Sequence, residues 1–259
     1  MSDRIEWAVT QSEQVGSFQI AMSPEIRPGY QQGCGIRRDT LLKFWLKRCL
    51  YPLIKFRNDL LVDGFLEREI ARLIRRYLKP GNVFLEVGCG DLSVPKFLPR
   101  DTFYNGIDLE ISAFHVQALS KRARVNLACA LATALPVDSN SVDFIVSAET
   151  FEHIPEIDTA LVEIHRTCKN NAILVCTIPN NHCYKYDCIG KNKEHINEWH
   201  YEEFISLMKC HGFDLVEGHM IGWWLPLSTW LMSLSCQLPI SVADEYKNTN
   251  FIYAFRAKK

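Results

Sequence analysis

The sequence predicts an α/β fold: a mostly parallel sheet of seven strands with helices on both faces, preceded by an N-terminal helical extension. Three observations carry this. Short, largely apolar runs, such as NVFLEV at residues 82–87 and AILVCTI at 172–178, alternate with longer stretches of helical period. Strands without polar alternation are buried on both faces, as in a parallel sheet covered by helices. The 259 residues, 47% hydrophobic and 23% charged, suffice for one large core.

The elements follow in order. Residues 1–36 are read as irregular, being polar and broken by Pro24, Pro28, Gly29, Gly33 and Gly35. The helical extension covers 37–79. In it a first helix runs from an N-cap at Asp39 to about Leu50, before Pro52. A second runs from about Asp59 to Leu78 and is closed by Lys79-Pro80-Gly81. The main domain is placed at 80–259. Its strands are 82–87, 103–108 (FYNGID), 124–128 (RVNLA), 142–148 (VDFIVSA), 172–178, 213–219 (FDLVEGH) and 251–256 (FIYAFR). Helices between them include 111–121, 157–168 and 201–210, while 179–199 and 220–250 read as lid or substrate insertions.

Charge and cysteine content narrow the function classes. A formal net charge of −1 argues against a global field that gathers nucleic acid. Ten cysteines without a CxxC pair, behind a polar N-terminus, predict reduced thiols and a cytoplasmic protein. No run of eighteen apolar residues predicts a spanning helix.

The chemistry concentrates in FLEVGCGDL, residues 84–92. A glycine turn after the first strand lies at the ligand-binding edge of such a sheet. Gly88 and Gly90 let the backbone approach a ligand, and the helix start beyond them favours an anionic group. A dinucleotide fingerprint would need a third glycine where Ser93 stands, and Glu86 would repel a pyrophosphate. Glu86 suits an amino-acid head, a carboxylate beside an ammonium, as in S-adenosylmethionine (SAM). Asp108, eighteen residues after Gly90, suits a ribose diol. NAD would want that acid too, so an NAD(P) oxidoreductase remains a further reading.

FLEVGCG, GIDLE, ALPVDSNSVDFIVSAETFEHIPE, EIHRTCKNNAILVCTIPN and HINEWHYEEFISLMKCHGFDLV fall in one order across roughly residues 80–220. In that order they resemble the motifs of the class I SAM-dependent methyltransferases. The resemblance implies a Rossmann-like fold, SAM as cofactor and methyl transfer to a small-molecule, sugar or lipid-type acceptor, with a hydroxyl preferred. It implies cofactor contacts from Glu86, Gly88, Cys89, Gly90, Asp108, Leu109, Leu131, Ala132, Ala148 and Glu149. Two positions depart from the pattern: Leu92 replaces a third glycine, and Leu131 replaces an acid that meets adenine. A catalytically inactive scaffold is therefore the alternative.

If the acceptor is a hydroxyl, a general base contributes about 10²–10⁴-fold. His153 and His195 are the candidates, with His182, His200, Glu149 and Glu152 nearby in sequence. Cys183, Cys188, His195 and His200 do not form a standard zinc spacing, so no metal is expected. The segment 37–57, with seven basic residues against one acid, and the tryptophan-rich 221–240 read as caps over the core. Peripheral membrane contact is the alternative, and would make the acceptor lipid-linked.

Overall fold

The computed structural model describes residues 4–7, 11–15, 18–22, 35–37, 64–90, 92–112, 116, 119, 124–225, 236–238 and 241–259. Twelve strands are present among the described residues. β1 (Gln11–Val15), β2 (Phe18–Met22) and β3 (Gly35–Arg37) precede β4 (Phe84–Val87), β5 (Tyr104–Asp108) and β6 (Glu110–Ser112). β7 (Val125–Cys129), β8 (Val142–Ala148), β9 (Cys168–Pro179), β10 (Phe213–Leu225), β11 (Cys236–Leu238) and β12 (Asn248–Ala257) follow.

Ten strands form one sheet in the order β1-β2-β7-β5-β4-β8-β9-β12-β10-β11, so the sheet is wider than the seven strands expected. The seven are its contiguous centre, from β7 to β10. Pairing is parallel from β2 to β9, and β12 is inserted antiparallel between β9 and β10. β4 lies between β5 and β8, so the strand order reverses at its C-terminal end, where an open α/β sheet binds ligands.

Side chains alternate across the sheet with period two. Leu85, Val87, Ile145, Leu174 and Cys176 face one apolar layer with Phe151, Phe204 and Phe213. Phe84, Phe144, Val146 and Val175 face the other. Helix α1 (Gly64–Tyr77) buries Ile70, Leu73 and Ile74 in that second layer. Its Glu67 and its Arg75 and Arg76 sit at the ends that suit the helix dipole. Helices α2 (Ile157–Thr167) and α4 (Tyr201–Cys210) cover the first layer through Leu161, Ile164, Phe204 and Met208. The short helix α3 (Tyr184–Ile189) interrupts the expected 179–199 loop.

Three expectations need correction. Within the segment 1–36, residues 11–15 and 18–22 are not irregular: β1 and β2 pair antiparallel, and β2 extends the main sheet along β7. Ile20 is fully buried there, and Asn105 and Asn126 tie the backbone of Ile5 at 3.0 and 2.8 Å. Ile111 and Ser112 do not begin a helix but belong to β6, which pairs in parallel with β3. A partner more than seventy residues away outweighs the local helical period. The strand expected at 213–219 continues to Leu225, inside the expected 220–250 insertion. The helix expected at 39–50, and most of 37–57, 113–121 and 226–240, lie outside the described residues. Among the described residues no helix is long and apolar enough to cross a membrane.

Candidate functional site

The glycine turn after β4 is fastened to its neighbour. The N–H groups of Gly88 and Cys89 donate to the Ile107 carbonyl at 2.8 and 3.0 Å. Gly90 N–H donates to Asp108 Oδ2 at 2.7 Å, and Glu110 N–H donates to Asp108 Oδ1 at 3.1 Å. Gly88 has φ +80°, and a Cβ there would stand 2.1 Å from Thr150 Oγ1. Leu92 has φ +54°, the left-handed backbone a glycine would take, and its side chain is buried in the apolar layer that also holds Val94 and Leu73. The turn thus keeps its shape without the third glycine, held by burial of the leucine.

A cleft of about 800 Å³ opens at this turn. Glu86, Gly88, Cys89 and Gly90 form its floor, Asp108 and Leu109 one flank, and Leu131 and Ala132 the next. Ala148 and Glu149, at the end of β8, complete the opposite wall with His153. All ten residues singled out for the cofactor line this one space.

Glu86 is not a plain anion. It is 2% exposed and accepts a short hydrogen bond from the Tyr104 hydroxyl. Tyr104 reaches it because Gly106, the residue paired with Glu86, has no side chain in the way. Burial raises the Glu86 carboxyl to about 8, the Asp108 charge adds to this, and the Tyr104 bond opposes it. Without a cation beside it, the group is largely neutral at pH 7.

The wall after β8 holds the acid–histidine group. Glu149 takes φ +50°, its N–H donates to Thr177, and its Oε2 accepts from Asn250 Nδ2 at 3.2 Å. Glu152 is 1% exposed, and neither carboxyl oxygen has a hydrogen-bond partner among the described residues. Burial first, and then the Glu149 charge, raises it to about 9. His153 Nδ1 lies 2.9 Å from the Glu194 carbonyl and its Nε2 3.7 Å from Glu152 Oε1. His195 Nδ1 lies 2.9 Å from Asn181 Oδ1, and its ring stands edge-on to His153 with centroids 5.0 Å apart. Burial first, then His153, lowers the His195 pKa.

The two candidate catalytic histidines therefore come together, with His153 on the cleft wall and His195 behind it. His200 does not join them. It caps α4, its Nδ1 contacts Glu245 Oε1 at 2.8 Å, and its ring stacks on His182. Among the described residues, the group placed to hold a cation is Glu152, His153 and His195, without Cys183.

Tyr104, Thr150, Asn181 and Ile196 were not singled out from the sequence. Tyr104 had a signal, since it lies two residues before Gly106 on a strand next to β4. Thr150 and Asn181 had none, because each acts through a contact across the fold.

Residues 85–176 match the family model described as a methyltransferase domain. Among solved structures, the chain is similar to a SAM-dependent methyltransferase of Thermotoga maritima at 22% identity and a TM-score of 0.53. That match covers 83% of this chain and 100% of the other. It is also similar to a chain of the Haloferax volcanii complex between the Trm112 methyltransferase activator and a methyltransferase (20%, TM-score 0.59, 86% and 100% covered). A third is a Haemonchus contortus phosphoethanolamine N-methyltransferase with S-adenosylhomocysteine bound (16%, TM-score 0.54, 85% and 61% covered). No curated protein matches by sequence. At these identities the structural likenesses bear on the fold.

Proposed function

We propose that the chain, whose residues 85–176 match a methyltransferase domain, is a class I SAM-dependent methyltransferase with SAM as its cofactor and methylates a hydroxyl of a small-molecule, sugar or lipid-type acceptor. The observation that carries this reading is that one cleft joins the glycine turn and Asp108 to a wall bearing Glu149 and His153, with His195 behind it.

The residues present fit the cofactor. Gly88 and Gly90, both at positive φ, line the cleft with bare backbone, and the buried Glu86 suits an ammonium. Asp108 offers carboxylate oxygens for a ribose, while Leu109 and Leu131 offer apolar surface for a base. When bound, the cofactor supplies a methyl group on a sulfonium. The chain's own work is to hold the acceptor in line and exclude water, and positioning alone supplies roughly 7–11 kcal/mol. His153 faces the acceptor hydroxyl from the cleft wall, with His195 behind it: His153 Nδ1 bonds a backbone carbonyl, so it bears the proton and Nε2 keeps a lone pair. Of the two departures behind the scaffold alternative, Leu92 keeps the left-handed turn and Leu131 still lines the cleft.

Methyl-labelled SAM, incubated with the full chain and separate panels of sugars, phenols, lipid-linked alcohols and amines, tests this. Label is expected in a hydroxyl panel. Label confined to amines, with S-adenosylhomocysteine still binding, would overturn the oxygen assignment.

Glu86 makes binding pH-dependent. Its carboxyl, raised to about 8, is protonated in the free protein below that pH, whereas an ammonium beside it needs the carboxylate. Affinity for S-adenosylhomocysteine should therefore rise from pH 6 to 8, by up to about tenfold per unit, and then level off. Calorimetry in buffers of different ionisation enthalpy should register proton release at pH 7, and Glu86→Gln should remove the slope. A flat profile in wild type would separate Glu86 from the ammonium.

A further inference from the structure

We infer that Glu152, His153 and His195 bind a divalent transition-metal cation of the zinc class at the acceptor end of the cleft, where it takes the acceptor oxygen as a further ligand. Its role rests on the methyl-transfer reading; its existence does not.

Four observations carry it. First, the Glu152 carboxyl is 1% exposed with both oxygens lacking a hydrogen-bond partner among the described residues. A buried carboxyl in that state is strongly disfavoured unless something else occupies it. Second, one ligand atom from each of the three side chains lies within 4.8 Å of the others. The 3.7 Å between Glu152 Oε1 and His153 Nε2 is too long for a hydrogen bond. Two ligands each about 2.1 Å from one cation stand about 3–4 Å apart.

Third, both imidazoles are oriented as metal ligands usually are. His153 gives its Nδ1 proton to the Glu194 carbonyl and His195 gives its own to Asn181 Oδ1, each at 2.9 Å, which leaves both Nε2 lone pairs available. Asn181 is itself 2% exposed. Fourth, the two segments are pinned together. Ile196 and Asn197 N–H groups donate to the Glu152 carbonyl at 2.8 and 3.0 Å, and Asn197 Nδ2 donates to the Phe151 and Ile154 carbonyls. The His195 backbone is thereby held against the turn that carries Glu152 and His153, although 42 residues separate His153 from it in sequence.

Two imidazoles and one carboxylate are the donor set of an open zinc site, with a fourth position left for a small ligand. His153 and Ile196 both line the cleft, so that position faces the acceptor. There the cation lowers the pKa of the bound hydroxyl. The proton leaves to solvent, and the oxygen lone pair forms the new C–O bond to the methyl. The C–S bond breaks with its electron pair going to sulfur, and the sulfonium becomes a neutral thioether.

The full chain is stripped with chelator, then titrated with Co²⁺ by visible absorption and with Zn²⁺ by calorimetry. S-adenosylhomocysteine binding is measured on the same samples. One equivalent of cation is expected, with at least tenfold weaker binding in Glu152→Gln and in His195→Ala. Asp108→Ala should keep the cation while weakening the nucleotide. In the hydroxyl assay, stripping should lower turnover at least tenfold and Zn²⁺ should restore it. The inference falls if wild type binds S-adenosylhomocysteine but takes up no cation, if the two variants bind it as wild type does, or if turnover survives stripping. Cation uptake without S-adenosylhomocysteine binding would uphold the site and overturn the methyl-transfer reading instead.

Discussion

Gly88→Ala is expected to raise the Kd for S-adenosylhomocysteine by at least about 100-fold. Two effects add. An L-residue at φ +80° costs roughly 1–2 kcal/mol, because its Cβ crowds the following carbonyl. The new methyl would also stand 2.1 Å from Thr150 Oγ1 and 2.4 Å from Thr150 Cγ2, and such overpacking costs about 1–3 kcal/mol. Relief requires the turn to move away from Thr150. That movement breaks the bonds from Gly88 and Cys89 to the Ile107 carbonyl and shifts the cleft floor. Calorimetric titration gives the affinity, and thermal melting tells whether the domain stays folded. Adding Thr150→Gly removes the collision but not the backbone strain, so the double variant should recover only part of the loss. Full recovery would assign everything to the collision; no recovery would assign it to φ.

Asp108→Ala should be comparably damaging, with affinity falling about 10²- to 10⁴-fold. A carboxylate accepting two hydrogen bonds from a ribose contributes on the order of 1.5–3 kcal/mol for each. The same side chain also holds Gly90 N–H at 2.7 Å and Glu110 N–H at 3.1 Å, so its loss loosens the turn and the start of β6. Asp108→Asn separates the roles. Its amide oxygen can still accept from Gly90, while its NH₂ cannot accept from a ribose. Asn should therefore restore the melting temperature more than the affinity. Equal restoration of both would make Asp108 a structural residue only.

Much of this site is legible in the chain itself, for local reasons. Gly88 and Gly90 follow a run of apolar residues, and the turn they predict depends only on neighbours. Asp108 is found by counting along one strand–helix–strand unit. His153 follows β8 by the same counting. What escaped is whatever depends on a distant partner. β2 joins the sheet because β7 waits for it more than a hundred residues on, and Asn126 of β7 binds the Ile5 carbonyl from equally far away. A signal was present in Gly16-Ser17, a two-residue glycine connection between Val15 and Phe18, which pair across it. The polar composition of the segment concealed it. Ile111 sits in a helical period yet lies in β6, since β3 supplies a parallel edge that periodicity cannot register.

By itself, then, the sequence determined the layering of the fold and the edge at which the cleft opens. Both follow from hydrophobic period and glycine stereochemistry, which act over a few residues. Only the tertiary structure decided the state of the charges and the company of the histidines. Glu86 reads as an anion in the chain, but Tyr104 and the surrounding layer bury it, and burial makes it largely neutral. Glu152, His153 and His195 read as scattered polar residues until the 179–199 segment folds back and Asn197 bonds to the turn beside them. Desolvation and convergence are properties of three-dimensional neighbours, and a linear pattern does not contain them.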